Sequence, residues 1–310
     1  MKKVLVTGGA GFIGSHSVDA LLAKNIPVRV LDNLSSGRRE NLPLEHPLLE
    51  LMIGDIRDAT QVRHATKGCS HCLHLAAQVS VTHSLNDPRA SADTNVLGFV
   101  TVMDAARAAG VQRFVYASSA AVYGDSAELP LTEDAALSPL SPYGLEKLIN
   151  EHYADLYKRL HKLSAFGLRY FNVYGPRQDP KSPYAGVITL FAKRLESAQT
   201  LPVFGDGQQT RDFVYVGDVA RANVASLGAD VDGVCNVATG QSVTLLALID
   251  ALAQLRGARP DLELLPPRDG DIQRSAADPS RLRQLLGMRA HVTLESGLKT
   301  MLPDGAFCPP

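Results

Sequence analysis

The sequence predicts an α/β fold: a doubly wound parallel sheet with a second, smaller and less regular mixed α/β domain. Short apolar strands alternate with helical segments up to about residue 170, which is typical of βαβ units with right-handed crossovers. The first strand is followed directly by a glycine-rich turn and a helix. After about residue 171, prolines and glycines interrupt the pattern, which indicates a change of architecture.

Apolar runs and capping residues place the individual elements. Ser141 and Pro142 open one helix, with serine as the N-cap and proline in the first turn. Gly110 has the position of a residue that ends another helix. We predict strands at residues 4–7, 28–31, 49–53, 72–76, 113–117, 164–170, 213–216 and 234–237. We predict helices at residues 13–23, at 91–109 and from Pro142 through Leu160.

The length and composition of the chain allow two domains that share a cleft. At about 100–200 residues per domain, the 310 residues correspond to one large unit or two intimate ones. Hydrophobic residues make up 45% of the chain and charged residues 20%, which excludes a disordered chain. We expect residues 1–170 plus about 212–237 to form one domain, and about 171–211 plus 238–310 to form the other.

Charge, hydropathy and cysteine content exclude several classes of partner. The 31 basic and 32 acidic residues leave a net charge of −1, so no overall positive field attracts nucleic acid or an anionic membrane. No apolar run approaches the ~20 residues of a membrane-spanning helix, and no signal-type cleavage site follows the first strand. The Cys69-x-x-Cys72 pair lacks a second ligand pair for zinc. We therefore expect reduced thiols, no metal and a cytoplasmic protein.

The turn after the first strand carries glycines at the spacing of a dinucleotide-binding loop. In TGGAGFIG, residues 7–14, Gly8, Gly11 and Gly14 recur every third residue, and Gly9, Gly11 and Gly14 satisfy G-x-G-x-x-G. Glycine permits a tight turn and lets the backbone approach a pyrophosphate, while the helix N-terminus supplies amide donors. A tight strand–helix turn without a ligand is the alternative.

Asp32 favours the dinucleotide site over that alternative. It closes the second strand 18 residues after the last of these glycines, where a carboxylate accepts both hydroxyls of an adenosine ribose and repels a 2′-phosphate. The sequence therefore predicts a Rossmann domain that binds NAD rather than NADP, a preference that Arg38 and Arg39 could weaken. Asp55 with Ile56, after the third strand, suits a contact to the adenine edge, or Asp55 caps a turn.

Three further residues have the placement of an acid–base site. Tyr143 and Lys147 are four residues apart and so share one face of the helix that opens at Pro142. A lysine cation, like the positive ring of oxidised NAD, favours the phenolate of Tyr143, which can then act as a general base toward a hydroxyl. Ser119 follows the fifth strand, at the edge where α/β sheets bind ligands. An ordinary amphipathic helix and a serine bonded to its own turn are the alternatives.

These features occur together with further motifs in the order of a known family. The chain resembles the extended short-chain dehydrogenase/reductase family and, more narrowly, its NAD-dependent nucleotide-sugar 4-epimerases. The resemblance covers nearly the whole chain. The motifs that carry it are TGGAGFIG at 7–14, Asp32, HLAA at 74–77, SSAAVYG at 118–124, YGLEK at 143–147, RYFNVYGPRQ at 169–178 and PVFGDG at 202–207.

The resemblance implies roles for residues in both halves of the chain. Ser119, Tyr143 and Lys147 match the catalytic residues of the family. Besides Tyr143 and Lys147, the residues that match its NAD site are Gly8, Gly11, Phe12, Ile13, Gly14, Asp32, Asn33, Ser36, Gly37, Asp55, Ile56, Leu75, Ala76, Ala77, Asn95 and Tyr170. Besides Ser119 and Tyr143, those that match its UDP-sugar site are Ser80, Asn172, Val187, Phe204, Arg211, Arg268, Asp271 and Ser275.

The resemblance also implies a reaction class. Family dehydratases place acidic residues directly after the catalytic hydroxyl residue, and here Ala120 and Ala121 occupy those positions. Epimerisation of a UDP-sugar at carbon 4, through a 4-keto intermediate, needs only NAD, Tyr143 and Ser119. A nucleotide-sugar dehydratase or decarboxylase is the alternative among enzymes, and a non-catalytic NAD-binding sensor is the alternative among other proteins.

Two finer expectations concern the sugar and the assembly. Ser275, in GDIQRSAAD, stands where similar epimerases of plain hexoses carry a tyrosine, so we expect UDP-N-acetylglucosamine and UDP-N-acetylgalactosamine as substrates, with UDP-glucose and UDP-galactose secondary. Ser275 as a mere loop residue is the alternative. The resemblance implies a homodimer joined by a four-helix bundle of the helices that start near Ser91 and Pro142. The apolar residues of the second helix equally suit an internal core: Leu145, Leu148, Leu156 and Leu160.

Overall fold

The computed structural model of the protein describes residues 1–179, 186–257, 259–267 and 272–301. The strands of this part are β1 (Val4–Thr7), β2 (Val28–Asp32), β3 (Leu49–Ile53), β4 (His71–His74), β5 (Arg113–Ser119), β6 (Ser164–Tyr170), β7 (Asn172–Tyr174), β8 (Leu201–Phe204), β9 (Thr210–Tyr215), β10 (Gly233–Val237), β11 (Ser242–Thr244) and β12 (Leu262–Leu265). Its helices are α1 (Phe12–Leu22), α2 (Ala59–Thr66), α3 (Val81–Asn86), α4 (Pro88–Ala92), α5 (Gly98–Ala108), α6 (Pro142–His161), α7 (Val187–Glu196), α8 (Val216–Gly228), α9 (Leu245–Arg256), α10 (Ser280–Leu286) and α11 (Leu294–Lys299).

Seven strands form one central sheet in the order β10-β6-β5-β4-β1-β2-β3. Every neighbouring pair in this sheet is parallel. The chain runs outward from β1 to β3 and then returns to the other side of β1 at β4, so the strand order reverses between β1 and β4. Such a switch point is where open α/β sheets bind ligands. Two smaller sheets, β11-β9-β7 and β12-β8, accompany the central one, and the predicted fold class is confirmed.

The alternation of side chains along the strands buries both faces of the central sheet. Val4 and Val6 of β1 belong to the core that packs against α1 and α8. Leu5, between them, belongs to the opposite core with α2 and α5. A third core, which includes Phe191 of α7 and Leu248 of α9, lies under the small sheets. Helices on both faces therefore leave the carboxyl edge of the strands as the open side of the sheet.

The structure differs from two of the predicted elements. The helix predicted at 91–109 consists of α4, a π-helical turn at Asp93–Leu97, and α5. Such turns arise where side-chain contacts interrupt regular helix bonding, and here the Asn95 side chain bonds to a neighbouring loop. Val216, predicted to end a strand, instead begins α8, and β9 pairs with β7 and β11 rather than with the central sheet. The division of the chain into two domains stays a prediction.

The described part of the chain holds no helix long and apolar enough to cross a membrane. It also holds no group of three or more His, Cys, Asp or Glu side chains that could bind a metal ion. Cys69, Cys72 and Cys235 are buried free thiols, and burial raises the pKa of each. Cys308 lies outside the described residues. These thiols are therefore in the inert, protonated form at neutral pH.

Candidate active site

The glycine turn between β1 and α1 forms a cradle that side chains would fill. Gly8 has a φ of +70°, and a Cβ there would lie 2.6 Å from the backbone nitrogen of Ala76. A Cβ at Gly11 would lie 3.2 Å from the carbonyl oxygen of Gly8, and one at Gly14 would collide with the same oxygen. Gly11 is the N-cap of α1 and offers no side-chain cap, so the first-turn amides at Phe12 and Ile13 remain available to an anion.

Asp32 ends β2 beside this turn, and its buried carboxylate is held by backbone amides. Oδ2 accepts a hydrogen bond from the nitrogen of Ala10 at 2.9 Å, and Oδ1 accepts one from Leu34 at 2.8 Å. A carboxylate has about four acceptor positions, so two remain for the hydroxyls of a ribose. A Cβ at Gly37 would lie 2.9 Å from Oδ1, so glycine keeps the neighbouring loop close. The turn and Asp32 together fit a dinucleotide; Ser36, next to Gly37, is exposed.

The residues expected to contact the adenine of the dinucleotide are joined to one another by hydrogen bonds and an ion pair. Asn33 donates a hydrogen bond to Asp55 at 3.1 Å, and Arg57 pairs with the same carboxylate at 2.8 Å. The hydrogen bonds from Arg57 lower the pKa of Asp55 to about 2. Asp55 also accepts from the backbone nitrogen of Arg57 at 2.9 Å, so the turn-capping alternative holds alongside any contact to adenine. Ile56 is buried against Gly98.

Arg38, which follows β2, is one of the two arginines that could weaken the predicted preference for NAD over NADP. Its guanidinium donates a hydrogen bond at 2.7 Å to the carboxylate of Asp179, in the segment that follows β7. An arginine paired with a carboxylate offers a 2′-phosphate less positive charge. The contact therefore favours NAD, in agreement with Asp32.

Ser119, Tyr143 and Lys147 meet at the carboxyl end of β5. Ser141 caps α6 by accepting from the nitrogen of Gly144 at 3.1 Å, which starts the helix so that its first turn faces this edge. The side chain of Ser119 lies close enough to the Tyr143 hydroxyl to lower its pKa. The Lys147 ammonium donates to the carbonyl of Ala117 at 3.1 Å and lies 5.7 Å from the centre of the Tyr143 ring. The three side chains are therefore within reach of one reacting group.

The electrostatics of the site correct one expectation. Burial raises the pKa of Tyr143, the side chain of Ser119 opposes that change, and the charge of Glu146 raises the pKa further. Burial lowers the pKa of Lys147 to about 8. Lys147 therefore does not produce a phenolate by itself, because its ammonium is directed at Ala117 and burial disfavours the charged form of both groups. The additional positive charge has to come from a bound oxidised nicotinamide.

The loop after β4 borders the glycine turn, and Asn95 holds it in place. The Asn95 side chain accepts from the nitrogen of Gln78 and donates to its carbonyl, both at 2.8 Å. The loop carries the predicted cofactor residues Leu75, Ala76 and Ala77. The amide oxygen and the amide nitrogen of Asn95 are thus both hydrogen-bonded to the backbone of this loop. Ser80, expected beside the sugar, is buried and caps α3 by accepting from the nitrogen of His83 at 2.9 Å.

Tyr170, at the end of β6, lies beside Tyr143. Its hydroxyl donates to Asn223 of α8 at 2.6 Å, and its ring is buried in the core with α1. Burial, together with the neighbouring Tyr143, raises its pKa far above the usual range, so Tyr170 stays neutral. This neutral ring suits the nicotinamide-side position that the resemblance implies.

The predicted UDP-sugar residues come from several elements of the second half. Asn172 starts β7 and donates to the carbonyl of Asp212 at 3.3 Å, Val187 starts α7, and Phe204 ends β8. Arg211 of β9 donates to the carbonyl of Ile272 at 2.6 Å. Ser275 follows on the same segment; its backbone nitrogen donates to Thr210, and its carbonyl accepts from Ser242. Arg268 and Asp271 lie outside the described residues.

The sequence analysis missed Glu146. The side chain is 4% exposed and accepts hydrogen bonds from Ser91 and Asn95 at 2.8 and 2.6 Å. It follows Tyr143 by three residues and precedes Asn150 by four, so the three polar residues share one buried face of α6. A polar stripe at helical spacing was the signal that could have found it.

Comparison with known proteins places this site in a family. Residues 4–238 match the NAD dependent epimerase/dehydratase family. The UDP-glucose 4-epimerase of Mycolicibacterium smegmatis is 42% identical over 301 residues, which cover 96% of each chain. The structure of the UDP-N-acetylglucosamine 4-epimerase from Methanobrevibacter ruminantium, in complex with UDP-N-acetylmuramic acid, matches with a TM-score of 0.93 and 37% identity over 97% of this chain and 98% of that one. The Thermus thermophilus UDP-glucose 4-epimerase, in complex with NAD, matches with a TM-score of 0.88 and 39% identity over 96% and 97%.

These relationships span the cofactor turn, the catalytic side chains and the second half of the chain. They confirm the resemblance that the motifs indicated, and with it NAD as the cofactor. The cradle of the glycine turn and the open acceptor positions of Asp32 fit that cofactor. The chain belongs to the NAD dependent epimerase/dehydratase family of extended short-chain dehydrogenases/reductases.

Proposed function

We propose that the protein is an NAD-dependent UDP-sugar 4-epimerase. The observation that carries the proposal is the proximity of Ser119 to the Tyr143 hydroxyl, with Lys147 one helical turn further along α6 and the cofactor cradle on the same sheet edge. The similarity to 4-epimerases over almost the full chain supports it.

The proton transfers fall to residues of this chain. Bound NAD supplies the acceptor, and later the donor, of the hydride at carbon 4. The Tyr143 phenolate takes the proton of the 4-hydroxyl as the hydride leaves, and the sugar becomes a 4-ketone whose oxygen Ser119 holds by a hydrogen bond. Once the ketone has turned in the pocket, the hydride returns to its other face and Tyr143 gives the proton back. The sugar therefore gains and loses no atoms.

The turn that follows Ser119 supports epimerisation over loss of water or carbon dioxide. Ala120 and Ala121 form part of a short helical turn there, and Ser119 caps it by accepting from the nitrogen of Ala121 at 3.1 Å. Neither alanine can move a proton at carbon 5 or 6 of a sugar. A dehydratase or decarboxylase would release a product of lower mass, whereas an epimerase conserves the mass of its substrate.

We propose UDP-N-acetylglucosamine and UDP-N-acetylgalactosamine as the preferred sugars, with UDP-glucose and UDP-galactose secondary. Ser275 is 8% exposed, and hydrogen bonds on both sides of its backbone hold it against β9. A serine occupies far less volume than a tyrosine, which leaves room for a 2-acetamido group, and its hydroxyl can bond to that group. Arg211, which bonds to the same segment, is proposed to hold the diphosphate with Arg268, while Phe204 lies against the uracil.

The purified protein should convert both UDP-N-acetylglucosamine and UDP-glucose, with products resolved as sugar isomers. Ser275→Tyr should reduce kcat/KM for the acetylated sugar at least about tenfold more than for the plain one, because a ring fills the acetamido space. Ser275→Ala, which keeps the space, is the matched control and should retain activity on the acetylated sugar. Conversion of UDP-glucose alone by the wild type would overturn the preference. Bound NAD without conversion of any UDP-sugar would favour the sensor.

We further propose that the enzyme is a homodimer and resides in the cytoplasm. Leu85 of α3, Leu97 of the π-helical turn and Leu145 of α6 are exposed, and these elements pack against one another. Exposed large apolar side chains on adjoining elements are typical of an interface. The paired helices near Ser91 and Pro142 therefore suit an intersubunit bundle. The free thiols of the described cysteines suit a reducing compartment.

A further inference from the structure

Glu146 is a buried carboxylate that the proposed proton transfers do not use. Its Oε2 atom accepts hydrogen bonds from the Ser91 hydroxyl at 2.8 Å and the Asn95 amide at 2.6 Å. Its Oε1 atom is fully buried and has no hydrogen-bond partner among residues 1–179, 186–257, 259–267 and 272–301. A buried anionic oxygen without a partner disfavours folding, so its presence next to a catalytic lysine calls for a functional reason.

The hydrogen bonds of Glu146 connect the catalytic helix α6 to the loop that borders the cofactor cradle. Asn95 uses the same amide group to donate to Glu146 and to the carbonyl of Gln78, and its oxygen accepts from the nitrogen of Gln78. A second contact joins α6 to α3, the helix that follows this loop, because the nitrogen of Tyr143 donates to Ser84 at 3.1 Å. The position of α6 relative to the loop is therefore set by the polar contacts of Glu146 through Asn95, and its position relative to α3 by the contact at Tyr143.

On α6, Glu146 directly precedes Lys147 and follows Tyr143 by three residues, so its carboxylate is close to the two titrating groups of the site. In the described part of the chain, it is the one ionised group that raises the pKa of Lys147, and it also raises that of Tyr143. From β4, His74 faces Lys147, but burial lowers its pKa to about 3 and leaves it neutral. From β6, Tyr170 faces Tyr143 and is neutral as well. Ser119 of β5 carries no charge.

We propose that Glu146 is a positioning residue for the reaction, which holds the 75–80 loop to the catalytic helix through Asn95 and supplies the negative charge that faces Lys147 and Tyr143. The inference rests on the proposed function for its kinetic part, and its spectroscopic part is independent of that function. A carboxylate here keeps Lys147 cationic in a site where burial opposes the cation.

The test is Glu146→Gln, which removes the charge and keeps the shape. In a plot of kcat against pH, deprotonation of Tyr143 sets the acid limb and deprotonation of Lys147 sets the alkaline limb. The Glu146 anion raises both pKa values, so its loss should move both limbs to lower pH by about one unit. The same shift should appear in the titration of Tyr143 itself, followed by ultraviolet difference absorption against Tyr143→Phe. A uniform fall in kcat with both limbs and the Tyr143 titration unchanged would overturn the electrostatic role.

Two further variants separate the roles of charge and position. Asp155→Asn removes the same charge from an exposed site on α6 and should leave both limbs unchanged. Glu146→Asp keeps the charge but shortens the reach to Asn95, so the limbs should stay while the purified protein retains less NAD. Wild-type NAD retention in Glu146→Asp would overturn the positioning role, even where Glu146→Gln does not fold. If the wild type converts no UDP-sugar, the proposed function fails and the Tyr143 titration still decides on Glu146.

Discussion

Tyr143 and Lys147 occupy a site in which burial opposes the charge that each needs for catalysis. Burial raises the pKa of the phenol and lowers that of the ammonium to about 8. Ser119 opposes the effect of burial on Tyr143, and the charge of Glu146 opposes the effect of burial on Lys147 while it raises the pKa of Tyr143 further. Because the phenolate also needs the positive ring of oxidised NAD, the chain is a poor base until its cofactor is bound.

Tyr143→Phe should lower kcat by about 10²–10⁴-fold, because it removes the proton acceptor and keeps the ring. Ser119→Ala should also lower kcat, and the double variant should lose less than the product of the two losses since the residues act as a unit. Tyr157→Phe, the same change further along α6, is the control and should retain wild-type turnover. Turnover of UDP-sugar isomers by each variant is the measurement. Near-normal turnover of Tyr143→Phe would remove this residue from the mechanism.

For individual residues, the sequence analysis identified those whose spacing along the chain forms a short-range pattern. The glycines, Asp32 and the Tyr143–Lys147 pair depend on spacing within one turn or one βα unit, which a single sequence displays. The partners of Glu146 lie 51 and 55 residues away along the chain, so no local pattern indicates the contact. Burial also raises the pKa of Tyr143 in the protein without its cofactor, an effect that the sequence does not display because burial is a property of the folded protein.

Among the elements, the strand–turn–helix unit β1–α1 is shaped by a close approach between the start of α1 and the turn that precedes it. A Cβ at Gly14 would collide with the carbonyl oxygen of Gly8, which lies at the base of the cofactor cradle. The turn therefore keeps its shape only while both positions lack side chains. This explains in physical terms why the spacing of the glycines is informative.

Gly14→Ala should yield a protein that retains little NAD after purification, because the turn must move away from the new methyl group. The dinucleotide released on denaturation is measured, and the same measurement identifies it as NAD. Gly228→Ala is the matched control: it is also a helical glycine, but a Cβ there meets no atom within 4 Å. That variant should retain NAD and gain about 0.5–1 kcal/mol in the free energy of unfolding. Full NAD retention in Gly14→Ala would contradict the role of the turn.

The strands that the sequence analysis missed are short, whereas the helices that it missed include α8 with 13 residues and α9 with 12. Strands β7 and β11 have three residues each, and β8 and β12 have four, which is too few for a two-residue alternation to stand out. Helices α3 and α4 did leave a signal, since Ser80 and Asp87 cap them. The strands of the central sheet were predicted because apolar residues predominate in them and alternate along the chain with helical segments.

For the molecule as a whole, the exposed leucines bear on assembly. Leu97 is 60% exposed and Leu145 is 49% exposed, although one face of α6 is buried against the protein's own core. Leu160 is also exposed, so neither Leu145 nor Leu160 has the internal position that the sequence left open. A second copy of the chain would cover the leucines at the start of α6.

Leu97→Glu should convert a dimer into a monomer, because it places a charge in an apolar interface. The wild type should sediment at twice the 33.2 kDa of one chain, and the variant at the mass of one chain. Leu264→Glu, at an exposed leucine of β12, is the control and should leave the mass unchanged. A wild type of 33.2 kDa at micromolar concentration would contradict the proposed dimer.

The seventh strand of the central sheet has a consequence for synthesis. β10 pairs with β6, yet residues 171–232 separate them in the chain. At ~5–20 residues per second, a ribosome needs about 3–12 s to make this stretch. During that interval the nascent chain carries the open hydrogen-bonding edge of β6, to which a strand of another polypeptide can add. The central sheet can therefore be completed only after the intervening segment has emerged.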